Sequence, residues 1–350
     1  KAVLEGTAHM IQNLDPDKTL EESFDEVFYG RIEISKEDLR TTINNFYDHI
    51  FPQFASVTQV VGEAQNLIRQ LNEIDVYMVV ATNPLFPKAA ILHRLNWADL
   101  GVPAQRFRVI TSYEDFHFAK PNLAYYAEIM AHLGWPERPA VMIGNDWEMD
   151  IIPAEKIGLP TFFLGTPPLE NDLERDPRSS QGNWSELSTF LTEIAKTKDP
   201  IEVADSDDAL VALLSATAAY IDHLRRKKRE INYWQTRPEP KEWSLIEIIS
   251  HLADVDAEVN LPRLQIIKEQ TTPFFAAIET DQWAEERHYL INDPGEILDK
   301  FIDNRNKLIE GYSNLSTSDC KKVIQHSIFG PTTVSEIFKF IVQHDRIHLN

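Results

Sequence analysis

The chain has 350 residues, 43% of them apolar and 10% aromatic, enough for about two domains with substantial cores. Its 34 basic and 55 acidic residues give a net charge of −21, which argues against nucleic acid or an anionic membrane as a partner. The single cysteine, Cys320, excludes an internal disulfide framework and a thiolate-cluster metal site, so any bound metal must rest on histidines and carboxylates. No segment approaches the run of about 18 apolar residues needed to span a bilayer, and the N-terminus lacks a signal-peptide layout. The expectation is a cytoplasmic protein.

Residues 1–56 read as helical and acidic, with apolar positions such as Phe24, Val27 and Phe28, then Ile43, Phe46, Tyr47 and Ile50, at helical spacing. Short apolar runs then alternate with helical stretches. They are Val76 to Ala81, Phe107 to Ile110, Ala140 to Gly144 and Thr161 to Leu164. Strands separated by helices imply crossovers and a parallel, doubly wound sheet. Residues 165–207 are rich in Pro, Asp, Ser and Gly apart from a helical stretch at Trp184 to Ile194, and a domain boundary is expected near Asp199-Pro200. Beyond it, helical patterns cover roughly 207–229, 244–270, 294–314 and 333–350, with no convincing strand. Two carry a capping box, Ser244 with Glu247 and Thr333 with Glu336. Four such helices predict a bundle.

In an open parallel sheet, ligands bind beyond the carboxyl ends of the strands, so the residues following each strand are the informative ones. The first strand ends in Thr82-Asn83, a hydroxyl and an amide able to meet an anionic oxygen. The second is followed by Lys120-Pro121. The third runs into Gly144-Asn145-Asp146 with Asp150 about one helical turn on, and two carboxylates so placed can share a hard cation such as Mg²⁺. Together these residues resemble the later motifs of the haloacid dehalogenase (HAD) superfamily of hydrolases, over residues 57–165, with residues 1–56 resembling part of its cap insertion. The resemblance implies phosphoryl transfer through an aspartyl phosphate on a small phosphorylated metabolite. Thr82 would then bond the phosphoryl oxygens, Asn83 would orient the loop or the substrate, Lys120 would neutralise charge, and Asp146 with Asp150 would hold Mg²⁺.

That family's nucleophile is the first Asp of an Asp-x-Asp-x-Thr motif at the tip of a central strand. Asp15-Pro16-Asp17-Lys18-Thr19 has the letters, but Ile11 and Leu14 before it stand at helical spacing, whereas a central strand needs a continuous apolar run. Asp15 is therefore expected in a helical cap segment, and the first motif, with its strand, upstream of Lys1.

In the second half, Ile248, His251, Leu252, Val255 and Val259 form one inward stripe, and Ile337, Ile341, His344 and His348 form another. His344 and His348 are i, i+4 neighbours. Three imidazoles directed into one bundle core are most simply satisfied by a shared divalent metal with an open position, Zn²⁺ or Ni²⁺ on ligand type, with Fe²⁺ also compatible. His223, His288 and His326 lack such partners and are read as structural. Arg305 shares a stripe with Leu298, Phe301, Ile302 and Leu308 and is either a pocket group or a snorkelling side chain. Trp243-Ser244 opening a helix, His251 to Asp254, and His344-Asp345 to His348 resemble the DinB/YfiT-like family of metal-binding four-helix bundles, over residues 205–350. Some of its members are thiol-dependent transferases.

The fold expected is α/β plus all-α. It comprises a helical cap region at 1–56, a HAD-like Rossmannoid parallel sheet at 57–199 and a DinB-like four-helix bundle at 200–350. The leading function is a Mg²⁺-dependent phosphatase fused to a divalent-metal bundle, acting on a small molecule, with a homodimer left open. The alternatives are a metal-dependent thiol S-transferase with a degenerate HAD partner, and a non-catalytic binding or dimerisation protein.

Overall fold

The computed structural model describes residues 1–74, 76–100, 107–166, 175–197, 204 and 206–350. They fall into two compact units, Lys1–Glu202 and Val203–Asn350. The boundary expected at Asp199-Pro200 lies outside the described residues.

The first unit opens with α1 (Ala2–Ile11) and α2 (Leu20–Ile32), packed as a hairpin. A methyl at Gly6 would come within 2.8 Å of the Phe24 ring, so the missing side chain sets how closely the two helices approach. Thr19 and Glu22 close a capping box, with Thr19 N donating to Glu22 Oε2 at 3.0 Å. Leu20 N donates to Phe116 O at 2.9 Å and Asn13 Nδ2 to His117 O at 2.8 Å, so the hairpin is tied to the segment leading to Lys120. Next come α3 (Lys36–Asn45), a π turn at Phe46–Ile50, a 3₁₀ turn at Phe51–Val57 and α4 (Gly62–Leu71), none with a fully buried side chain. Phe51 stacks on Trp97, ring centroids 5.1 Å apart.

The α/β part follows as β1 (Met78–Val80), α5 (Lys88–Trp97), β2 (Phe107–Ile110), α6 (Leu123–His132), β3 (Met142–Gly144), a π turn at Trp147–Ile151, α7 (Ile152–Lys156), β4 (Thr161–Leu164), β5 (Ser180–Gly182) and α8 (Trp184–Ile194). All pairings are parallel, as the alternation of strands and helices predicts, but the strands form two sheets. One is β1–β2 and the other β3–β4–β5. β1 and β3 each keep one edge without a strand partner among the described residues. The fifth strand was not anticipated, because Ser180-Gln181-Gly182 carries no apolar residue. Met78, Ile91, Leu95 and Phe107 pack the first sheet against α5, and burial of side chains of this size contributes about 1.5–3 kcal/mol each.

The second unit contains α9 (Asp207–Arg226), α10 (Ile231–Gln235), α11 (Leu245–Val255), a π turn at Asp256–Asn260, α12 (Leu261–Glu269), β6 (Phe274–Phe275), α13 (Trp283–Glu286), α14 (Pro294–Ser313), α15 (Thr317–Cys320), β7 (Val323–His326), β8 (Gly330–Thr333) and α16 (Val334–Leu349). The four long helical paths are α9, α11 through α12, α14 and α16, a helical bundle around Ile221, Ile249, Leu252, Phe301 and Ile302. Both expected capping boxes are present, at Ser244 and at Thr333. The expectation of no strand here is corrected by the three-stranded sheet β6–β7–β8. Its strands are two to four residues long, and although β7 alternates exposed and buried residues, its buried positions are Ile324 and His326, so no apolar run marks it in the sequence. No helix among the described residues is long and apolar enough to cross a membrane.

Candidate functional site

Each unit brings a cluster of polar side chains together. In the first, Lys120 is the hub. Its ammonium, 5% exposed as a residue, donates to Ala81 O beyond β1 at 2.7 Å and to Asp150 Oδ1 at 2.6 Å. Its backbone N–H donates to Asn83 Oδ1 at 3.1 Å. Asp150 Oδ2 accepts from the backbone N–H groups of Asn145 and Asp146, both at 3.1 Å. Lysine therefore bridges the carboxyl ends of β1 and β3, two strands that share no ladder. Gly144 permits this, since a Cβ there would fall 2.2 Å from Asp150 Cβ and 2.4 Å from its Oδ2.

Thr82 adjoins the hub. Its hydroxyl lies 3.2 Å from Thr111 Oγ1, and its carbonyl accepts from Tyr125 OH at 2.5 Å. Burial pushes the Tyr125 hydroxyl far above its ordinary pKa, so it stays a donor. Asp146 is exposed and uses Oδ1 to cap the following turn, accepting from Glu148 N at 3.1 Å and Met149 N at 2.9 Å. Of the five residues singled out in this half, Asn83, Lys120, Asp146 and Asp150 share one hydrogen-bonded network, and Thr82 lies beside it, bonded instead to Thr111 and Tyr125. Within it, Asp150 has both oxygens occupied, so Oδ2 of Asp146 is the carboxylate oxygen of that pair with no hydrogen bond among the described residues. Asp15 is exposed, in the turn between α1 and α2, where its carboxylate accepts from Asp17 N at 3.0 Å. It lies within neither a helix nor a strand. Tyr125 and Thr111 were missed by sequence reasoning, because nothing in their spacing marks them.

In the second unit, His251 from α11 meets His344 and His348 from α16. The Nε2 atoms of His251 and His344 are 3.2 Å apart, as are those of His344 and His348. One ligand nitrogen from each of the three lies within 4.8 Å of the others. Burial and then the neighbouring imidazoles push His251 down to about 3 and His348 to about 4, and burial also lowers His344. Near neutral pH the cluster is therefore three uncharged rings whose Nε2 atoms converge, the tautomer of each ring deciding which nitrogen offers its lone pair. A tetrahedral metal with nitrogen ligands at 2.0–2.1 Å has an N···N edge of roughly 3.3 Å, so the spacing suits such an ion. The donor set is all nitrogen, and it is Nε2 of His251 that faces the cluster, its Nδ1 being buried with no hydrogen-bond partner among the described residues.

Trp243 closes one side. Its ring stacks on His348 with centroids 5.3 Å apart and planes within 4°, and lies 4.9 Å from His251. It immediately precedes the cap residue Ser244, whose N–H donates to Glu247 Oε2 at 2.9 Å, and Glu247 is held in turn by Arg237 Nε at 2.9 Å. Three further groups hold Asp254, one turn after His251. Lys300 and Tyr289 donate at 2.5 and 2.6 Å, and Arg287 at 2.5 Å, which together outweigh burial and keep its carboxyl below the usual range. His326 Nδ1 accepts from Ile328 N at 3.2 Å in a turn.

Residues 3–158 match the family model for haloacid dehalogenase-like hydrolases, and residues 232–350 match the model for the DinB superfamily. No curated protein matches the chain. Among solved structures, YfiT from Bacillus subtilis, described as a probable metal-dependent hydrolase with an unusual four-helix bundle topology, is 16% identical with a TM-score of 0.37. That match covers 45% of this chain and 90% of YfiT.

Proposed function

We propose that this chain, a haloacid dehalogenase-like hydrolase segment joined to a DinB superfamily segment, holds a divalent metal on His251, His344 and His348 and carries a phosphoryl-transfer centre around Lys120. The observation that carries the first part is the approach of the three Nε2 atoms, two pairs at 3.2 Å. Imidazole donors suit Zn²⁺ or Ni²⁺, and three protein ligands leave a position for water or substrate. Bound there, the ion would act as a Lewis acid that lowers the pKa of the group it carries. The protein's part is orientation. The i, i+4 pair presents two rings from one helix, the Trp243 stack fixes the plane of the His348 ring in the last turn of that helix, and burial keeps His251 neutral. Metal analysis of tag-free protein, with and without the histidines, is the test.

A separate observation favours phosphoryl transfer in the first unit, namely a buried ammonium bridging two strand ends beside a hydroxyl and a free carboxylate oxygen. In this reading the substrate is a small phosphorylated metabolite. Thr82 donates to a phosphoryl oxygen, Asn83 holds the backbone of Lys120, and Lys120 offsets charge on the transferring group. Asp146 would hold Mg²⁺ through its open oxygen, and Asp150, its oxygens already engaged, would serve it by bracing the Asn145-Asp146 backbone. The nucleophile would be a carboxylate presented beside Lys120 at the carboxyl ends of β1 and β3. Phosphate release that depends on Mg²⁺ and is lost in Lys120→Met tests this. Release that survives the substitution contradicts it.

A further inference from the structure

Arg305 is fully buried, at 0% exposure, and so are its two partners, Asp256 at 0% and Asp345 at 1%. Its Nε donates to Asp256 Oδ2 at 2.7 Å, Nη2 donates to Asp345 Oδ1 at 3.0 Å, and Nη1 donates to Asp345 Oδ2. Asp256 is further fixed by Asn260 Nδ2 at 2.8 Å. Taking three charges out of water costs several kcal/mol per ion before their attraction is counted, and apolar replacements of such triads are often neutral or stabilising. Fold stability alone is therefore a weak reason for this arrangement.

Its position supplies a better one. Asp256 follows His251 by five residues on the same helical path, at the start of the π turn Asp256–Asn260, and Asp345 directly follows His344 on α16. Arg305 stands on a third helix, α14, and its planar fork reaches both. A slide or rotation of α16 against α11 that spoiled the two-pronged contact with Asp345 would carry His344 away from His251, because the two residues are adjacent in the chain. The guanidinium also packs over the Phe301 ring, 4.8 Å from its centroid, which fixes its own height in the core.

We infer that Arg305 is a positioning residue for the three-histidine site, its guanidinium setting the register between the helix that supplies His251 and the helix that supplies His344 and His348. This rests on the metal reading above. Supports of this kind, one step behind the ligands, typically change metal affinity by about 10- to 100-fold.

The test compares wild type, Arg305→Lys, and a triple variant with Arg305→Met, Asp256→Leu and Asp345→Leu. Zn²⁺ affinity is measured by competition with a chromogenic chelator, and thermal unfolding is followed on metal-free protein. Lysine keeps the net charge of the triad but cannot make the planar two-pronged contact, so its effect reports geometry rather than field. The expected result is a folded Arg305→Lys protein with Zn²⁺ affinity lowered about 10-fold or more, and a visible Co²⁺ spectrum altered from wild type. The triple variant should retain a cooperative melt with affinity lowered at least as much. Unchanged Zn²⁺ affinity in a folded Arg305→Lys protein overturns the positioning role while leaving the metal site standing. Wild-type protein that binds no Zn²⁺, Ni²⁺ or Co²⁺ overturns both.

Discussion

Trp243 and His348 lie face to face, their ring planes within 4° of each other and their centroids 5.3 Å apart. An indole stacked on an imidazole proposed to ligate a metal would report what that imidazole binds. Paramagnetic Ni²⁺ or Cu²⁺ should quench a measurable part of the protein's fluorescence on titration, and Zn²⁺ should quench much less. In Trp243→Phe most of that quenching should vanish while Zn²⁺ binding persists, since phenylalanine keeps the stack. Quenching of equal size in the variant would mean that the ion sits elsewhere.

Metal-free protein should lose stability as the solution is acidified through the ordinary histidine range. The folded state holds His251 at about 3, His348 at about 4 and His344 below its usual value, whereas the unfolded chain titrates them near 6.5. Between those limits the unfolded state binds more protons, so stability rises with pH and is fully present above about 6.5. Urea unfolding in chelator at pH 7.5 and pH 5 should show the lower midpoint at pH 5. Replacing His344 and His348 with Gln should reduce that difference. An equal or higher midpoint at pH 5 in wild type would contradict the depressed values.

Lys120→Met should be costly to the first unit. The side chains of Lys120 and Asp150 are 7% and 11% exposed, and removing the cation leaves Asp150 without its nearest positive partner. Breaking a buried pair in this way typically destabilises by about 3–5 kcal/mol. Asp150→Asn in the Lys120→Met background should recover part of the loss by removing the stranded charge. Chemical denaturation that places the single variant within experimental error of wild type would show the contact to be weak.

Gly144→Ala should damage the same network without touching a charge. The added methyl meets Asp150 Cβ at 2.2 Å and its Oδ2 at 2.4 Å, so either β3 or the Asp150 loop must shift. Overpacking of this kind costs about 1–3 kcal/mol, and here it should also release the two backbone N–H groups that Asp150 holds. Faster amide exchange at Asn145 and Asp146 in the variant is the expected readout. Unchanged exchange would show that the loop does not depend on Asp150.

The helices of the second unit were legible because Ile248, Leu252, Val255, Ile337 and Ile341 recur at helical spacing and because Ser244 and Thr333 announce two of the starts. The histidine triplet was legible for the same reason, since i, i+4 spacing and a shared apolar stripe constrain where rings point. β1 to β4 showed as apolar runs, whereas Ser180–Gly182 and Gly330–Thr333 carry too few apolar residues to register as strands. Long-range side-chain pairing is what periodicity cannot show. Nothing local states that Lys120 will occupy Asp150, 30 residues away, or that Arg305 will reach Asp345, 40 residues away. The division of the sheet is of the same kind, because apolar runs identify strands but not which strand each one pairs with.

His251, His344 and His348 are proposed to hold one divalent metal. The most direct test is elemental analysis of tag-free protein, dialysed against metal-free buffer without Mg²⁺, for wild type and for the double variant with His344→Ala and His348→Ala. The expected result is about one Zn²⁺ or Ni²⁺ per wild-type chain and almost none in the double variant, with both proteins folded by circular dichroism. Stoichiometric metal retained in the double variant would contradict it.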